Sequence, residues 1–134
     1  MANLLKVEGI GPKYAKTLAK AGLSTTDGLL KAGATPKGRK DIVEKTGISK
    51  KLVLEWVNLV DLFRIKGVGE EYSDLLEEAG VDTVPELAQR NPGNLHKKMA
   101  EVNAKKKLVR QLPSEKMVKD WVAQAKKLKR VVKY

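Results

Sequence analysis

The chain repeats itself, and that restricts its fold more than any other feature. Val7-Glu8-Gly9-Ile10-Gly11 is echoed by Ile65-Lys66-Gly67-Val68-Gly69 at an offset of 58, and the register then holds without a gap. Tyr14 matches Tyr72, Leu18 matches Leu76, Ala21-Gly22-Leu23 matches Ala79-Gly80-Val81, Thr25 matches Thr83 and Leu29 matches Leu87, giving eight identities within residues 7 to 29. Self-similarity of this kind means that one supersecondary unit is used again. A later match pairs Ile48 to Val57 with Pro113 to Val122 at an offset of 65, so the second copy carries seven more residues, most simply in the Lys-rich stretch 95 to 112. The copies divide the chain into residues 1-64 and 65-134. Four of the six aromatic residues, Tyr14, Tyr72, Trp56 and Trp121, fall at equivalent positions and read as core anchors.

The repeated unit is helical. Pro12 suits the first position of a helix and Gly22 its end, and between them Tyr14, Ala15, Leu18 and Ala19 follow the 3.6-residue period. Ser24-Thr25-Thr26-Asp27 offers N-caps for a second helix through Leu29-Leu30, and a third spans Pro36 to Lys45 and stops at Gly47. A fourth begins after Ser49 and runs to Arg64, apolar almost all round except at Glu55, Asn58 and Asp61, which marks it as the buried central helix. Its counterpart from Ser114 to about Val132 has one apolar stripe, including Leu128, and ends in lysines that suit the negative end of the helix dipole. No stretch shows the alternation of a strand, so the expected class is all-α.

Charge is distributed by segment. Of the 134 residues, 27 are Lys or Arg and 16 are Asp or Glu, for a net +11. Residues 1 to 51 carry +7, residues 52 to 93 carry −6 and residues 94 to 134 carry +10. Two basic arms around an acidic centre point to a polyanion on one side of the protein. The absence of cysteine excludes a disulfide framework, a thiolate zinc site and a cysteine nucleophile. No apolar run long enough to span a membrane and no signal peptide is read in the sequence, so the expected location is cytoplasmic, with no membrane partner.

The order helix, Ile65-Lys66-Gly67-Val68-Gly69, helix across Trp56 to Leu76 resembles the helix-hairpin-helix motif, with Ala15 and Ser73 at the small position that follows each turn. The whole chain resembles a mostly uncharacterised bacterial family, a domain of unknown function with such repeats. The resemblance implies two tandem helix-hairpin-helix repeats sharing one core, as SAM-like, five-helix-type units. It also implies a phosphate held at the hairpin, by the family's precedent with a monovalent cation assisting, and no further cofactor. The chemistry fits: glycines let the backbone turn tightly, the apolar residue between them plugs the helix pair, and N–H groups at a helix start attract anions. Contact with the phosphate backbone carries no sequence information, so the expected partner is DNA or RNA bound with little sequence preference.

The two hairpins differ where binding is decided. Gly9, Ile10 and Gly11 are followed by Lys13 and Lys16, whereas Gly67, Val68 and Gly69 are followed by Glu70, Glu71 and Asp74. Carboxylates there suit the helix dipole and repel phosphate. The expected nucleic-acid site is therefore the first hairpin with Lys13, Lys16, Lys37, Arg39 and Lys40, extended by Lys105, Lys106 and Lys107, which read either as a flexible phosphate-contacting element or as a solvated loop or helix face. Lys50 and Lys51 are placed at the other end of the repeat. The second hairpin reads as structural or as a contact for a basic protein. Because only Met1 to Val7 precede the first hairpin, the helix ending near Val132 is expected to pack beside it, within the monomer or in a neighbouring molecule.

An enzyme is not expected. Lys66 does not match the catalytic lysine position of the related glycosylases, His96 has no second ligand at metal spacing and reads as a surface residue, and no phosphate loop or nucleophile elbow occurs. No small-molecule substrate is implied. Two functions are open at this point: a non-enzymatic nucleic-acid-binding module, or an interaction module in which acidic and basic faces associate and the hairpins only pack.

Overall fold

Helix starts in this chain coincide with residues that can satisfy free N–H groups. In a computed structural model, which describes residues 3–134, a 3-10 turn at Leu4–Lys6 precedes eight α-helices: α1 Pro12–Lys20, α2 Thr26–Ala32, α3 Pro36–Thr46, α4 Lys50–Leu62, α5 Glu70–Glu78, α6 Val84–Ala88, α7 Pro92–Lys106 and α8 Glu115–Lys127. The side chains of Thr25, Thr35, Ser49, Asn91 and Ser114 each accept the backbone N–H three residues on, which supplies one of the donors a helix start leaves free. Among the described residues there is no strand, only a lone bridge between Asn3 and Thr25. The protein is all-α.

Contacts divide it into two compact units. The first runs to Asp61 and takes in Val131–Tyr134; the second is Leu62–Arg130. In the second unit α8 packs on α6 and α7, and α5 on α7. Its apolar cluster is drawn from residues between Leu62 and Ala125. In the first unit Leu18, Leu29, Ile42, Val53 and Val57 are buried. Asn58 and Asp61, which interrupt the apolar run of α4, are buried as well.

One contact, present in both units, explains why each closes on itself. Gly9 and Gly67 have φ of 90° and 96°, a region glycine enters without the Cβ clash of other residues. A Cβ on Gly9 would lie 3.0 Å from Trp56 Nε1, and one on Gly67 would lie 3.1 Å from Trp121 Nε1. The last helix of each copy thus lays its tryptophan over that copy's own turn. Tyr14 meets Trp56 edge-on at 5.0 Å between centroids, and Tyr72 meets Trp121 at 5.3 Å. The tryptophans are core anchors as expected, whereas Tyr14 is 37% exposed and sits at the rim.

The C-terminal helix thus serves the turn of its own copy. Trp121 of α8 covers the Gly67 turn, and Trp56 of α4 covers the Gly9 turn. α8 does not reach Val132. It ends at Lys127, where Leu128 turns extended (φ −97°, ψ 142°) and is exposed. Val131–Tyr134 instead belong to the first unit, with Val132 buried, Lys133 N–H donating to Ala34 O at 2.7 Å and Tyr134 Oη donating to Asn58 Oδ1 at 3.3 Å.

The extra residues of the second copy form a helix end and a tethered loop. α7 has 15 residues where α3 has 11. Beyond it, the Asn103 side chain accepts from Val109 N–H at 3.0 Å and donates to Val109 O at 3.3 Å. Tyr72 Oη donates to Gln111 O at 3.2 Å, and His96 Nε2 donates to Pro113 O at 2.8 Å. His96 is therefore a half-buried brace rather than a surface group. Lys107 closes α7 with φ of 51°, the one non-glycine residue with positive φ among those described. Its left-handed backbone costs about 1–2 kcal/mol that glycine avoids, offset in part by the larger entropy of an unfolded glycine. Lys107→Gly should accordingly raise stability by about 0.5–1 kcal/mol, read as a higher urea midpoint; a lowered midpoint would show that the lysine side chain stabilises the helix end.

Candidate functional site

The first turn exposes backbone. Ile10 is buried, 4% exposed, so its side chain plugs the core and only its main chain can meet a ligand. Gly11 is extended (φ −88°, ψ −177°) and precedes α1 as its N-cap, with no side chain capping the helix. The space a Cβ would take there is empty to 4 Å. Gly11 is thus dispensable for the turn itself and leaves the N–H groups at the start of α1 open. For the cation implied by the resemblance, carbonyl oxygens are the available donors. Among them, Val7 O already accepts Ile10 N–H at 3.0 Å.

Lys13 and Lys16 are exposed on α1, and Lys20 stands one turn further on the same face. Sequence reasoning passed over Lys20, although the helical period applied to Lys13 and Lys16 reaches it. The equivalent residues on α5 are Glu71, Asp74 and Glu78, so the whole stripe is inverted in charge. Gly69 is as open and uncapped as Gly11, and Val68 is buried like Ile10, while Glu70 and Glu71 fill the first turn of α5. Lys106 Nζ bonds to the Glu78 carboxylate at 2.5 Å, and that hydrogen bond, followed by the charge of Glu78, raises the ammonium pKa above its ordinary value. Lys106 is therefore committed within its own unit. Lys105 and Lys107, exposed at the end of α7, compensate the negative end of the helix. Of the two readings of Lys105 to Lys107, the structure has the helix end.

Arg39 is also withdrawn from the expected site. Its side chain is buried, and its two Nη atoms donate to Gly33 O and Lys133 O, both at 2.8 Å. Burial lowers its pKa, with the nearby Tyr134 opposing; a guanidinium nonetheless stays charged. Its work is to tie Val131–Tyr134 to the corner between α2 and α3. Lys37 and Lys40 remain exposed and line one groove together with Lys50.

Among the described residues, no group of three or more His, Cys, Asp or Glu could hold a metal ion, and no helix is long and apolar enough to cross a membrane. The class so defined is an all-helical protein of two compact units, each with a tryptophan seated on a glycine turn. The family described as Domain of unknown function (DUF4332) matches residues 8–128, and the chain belongs to it. No curated protein and no solved structure matches the chain significantly.

Proposed function

We propose that the protein is a non-enzymatic nucleic-acid-binding module that grips the phosphate backbone through the first of two helix-hairpin-helix turns. The observation that carries this reading is the charge inversion at equivalent positions: Lys13, Lys16 and Lys20 beside the open Gly11, against Glu71, Asp74 and Glu78 beside the equally open Gly69. A helix start with free N–H groups and a lysine stripe holds a phosphate and its neighbours by charge. The same backbone flanked by carboxylates repels them. The alternative, an interaction module in which acidic and basic faces associate and the hairpins only pack, is less favoured because Glu78 of the acidic stripe already pairs with Lys106 of the same unit.

Fluorescence anisotropy with two unrelated labelled 20-base-pair duplexes tests the reading. At about 50 mM salt the chain should bind both with micromolar affinity, within a few-fold of each other, as expected of contacts made to phosphate. No binding to either, or a large preference for one, would contradict it.

A further inference from the structure

The first unit contains a groove of about 770 Å³ that no sequence motif announces. Such a volume lies within the range of ligand sites. Its polar lining is basic, with Lys37 and Lys40 from α3 and Lys50 at the start of α4, and no carboxylate side chain lines it. The buried Arg39 adds a further positive charge whose hydrogen-bond partners are two neutral carbonyls. The apolar lining includes Val43, Leu54 and Tyr134.

Tyr134 is unlike the chain's other aromatic residues. It is 60% exposed, yet its hydroxyl is tied to the buried Asn58 and its neighbour Lys133 is held through both N–H and C=O. An exposed ring already fixed in place loses little freedom when a flat partner stacks on it. Clustered lysines act as point charges that can meet phosphate oxygens, and two Arg39 donors are already spent on backbone carbonyls.

We propose that this groove takes an unpaired base of single-stranded nucleic acid, stacked on Tyr134, with the flanking phosphates on Lys37, Lys40 and Lys50. The inference rests on the reading of the protein as a nucleic-acid binder and adds a preference for single strands, because a duplex keeps its bases stacked inside. Base–aromatic stacking together with a positive groove is the general means by which single strands are held without sequence preference.

The test compares a fluorescein-labelled 15-mer of thymidine with a 15-base-pair duplex, bound to the full chain at low salt. Tyr134→Ala should weaken the single strand about tenfold, within the range for loss of one stacked base, and leave the duplex within twofold. Tyr134→Phe should keep the single-strand affinity, and Lys40→Glu, at an exposed position, should lower it. Thermal melts establish that each variant is folded. If duplex binding persists while Tyr134→Ala and Lys40→Glu leave the single strand unchanged, this inference falls and the broader reading stands. If neither nucleic acid binds wild type, both fall. Displacement of the 15-mer by thymidine monophosphate or by polyglutamate at equal charge concentration would overturn the single-strand assignment in favour of a free nucleotide or an acidic peptide.

Discussion

Gly9→Ala should destabilise the first unit by about 2–5 kcal/mol. Two costs combine: a non-glycine residue forced to φ near 90° loses about 1–2 kcal/mol, and a Cβ 3.0 Å from Trp56 Nε1 overpacks a buried contact, typically for a further 1–3 kcal/mol. Trp56 has no easy retreat. It is 1% exposed and its Nε1 is buried with no hydrogen-bond partner, so the indole is held by packing alone. Gly67→Ala should cost a similar amount in the second unit, where φ is 96° and the Cβ would lie 3.1 Å from Trp121 Nε1. Gly11→Ala, at an extended φ with open space around it, should cost less than about 1 kcal/mol, the scale of a poorer N-cap. Urea unfolding followed by tryptophan fluorescence measures all three. Equal costs at Gly9 and Gly11, or a negligible cost at Gly9, would remove the account of how the turn is held.

The second large effect is on binding. Reversing Lys13, Lys16 and Lys20 to glutamate should weaken duplex affinity by a factor on the order of 10²–10³ near 0.1 M salt, because each lost phosphate neutralisation forfeits about tenfold at that salt. The same change of charge at Lys116, Lys119 and Lys127, exposed on α8 of the second unit, should lower affinity by about tenfold or less, through net charge alone. Equal losses from the two triple variants would mean that diffuse charge, not a site on α1, attracts the duplex. All six lysines are exposed, and their reversal should leave the fold intact, which circular dichroism checks.

Much of this was legible in the sequence because it depends on local rules. Pro12, Thr25, Gly47, Ser49 and Ser114 mark helix boundaries through cap chemistry that needs only neighbouring residues. The matched pairs Tyr14 with Trp56 and Tyr72 with Trp121 were legible because the same packing problem is solved twice. What escaped depends on contacts distant along the chain. Arg39 reads as one more basic residue until Gly33 O and Lys133 O bury it, and the end of α8 reads as helix until Val132 finds the first unit's interior. Lys106 reads as a free cation until α7 sets it against Glu78. Lys50 joins Lys37 and Lys40 only because α4 starts beside α3. Net charge could not separate these cases, since a lysine on an open helix face and one bonded to a carboxylate count alike.

The dependence of duplex affinity on salt, measured for wild type and for the Lys13, Lys16 and Lys20 reversal, tests most directly whether phosphates are held at the first turn. On duplex DNA each neutralised phosphate contributes about −0.9 to the slope of log K against log salt. The account predicts that the variant's slope is shallower than wild type's by about 2–3. Parallel slopes, with the variant merely displaced to weaker binding, would contradict it, because the three lysines would then not be among the groups that neutralise phosphate.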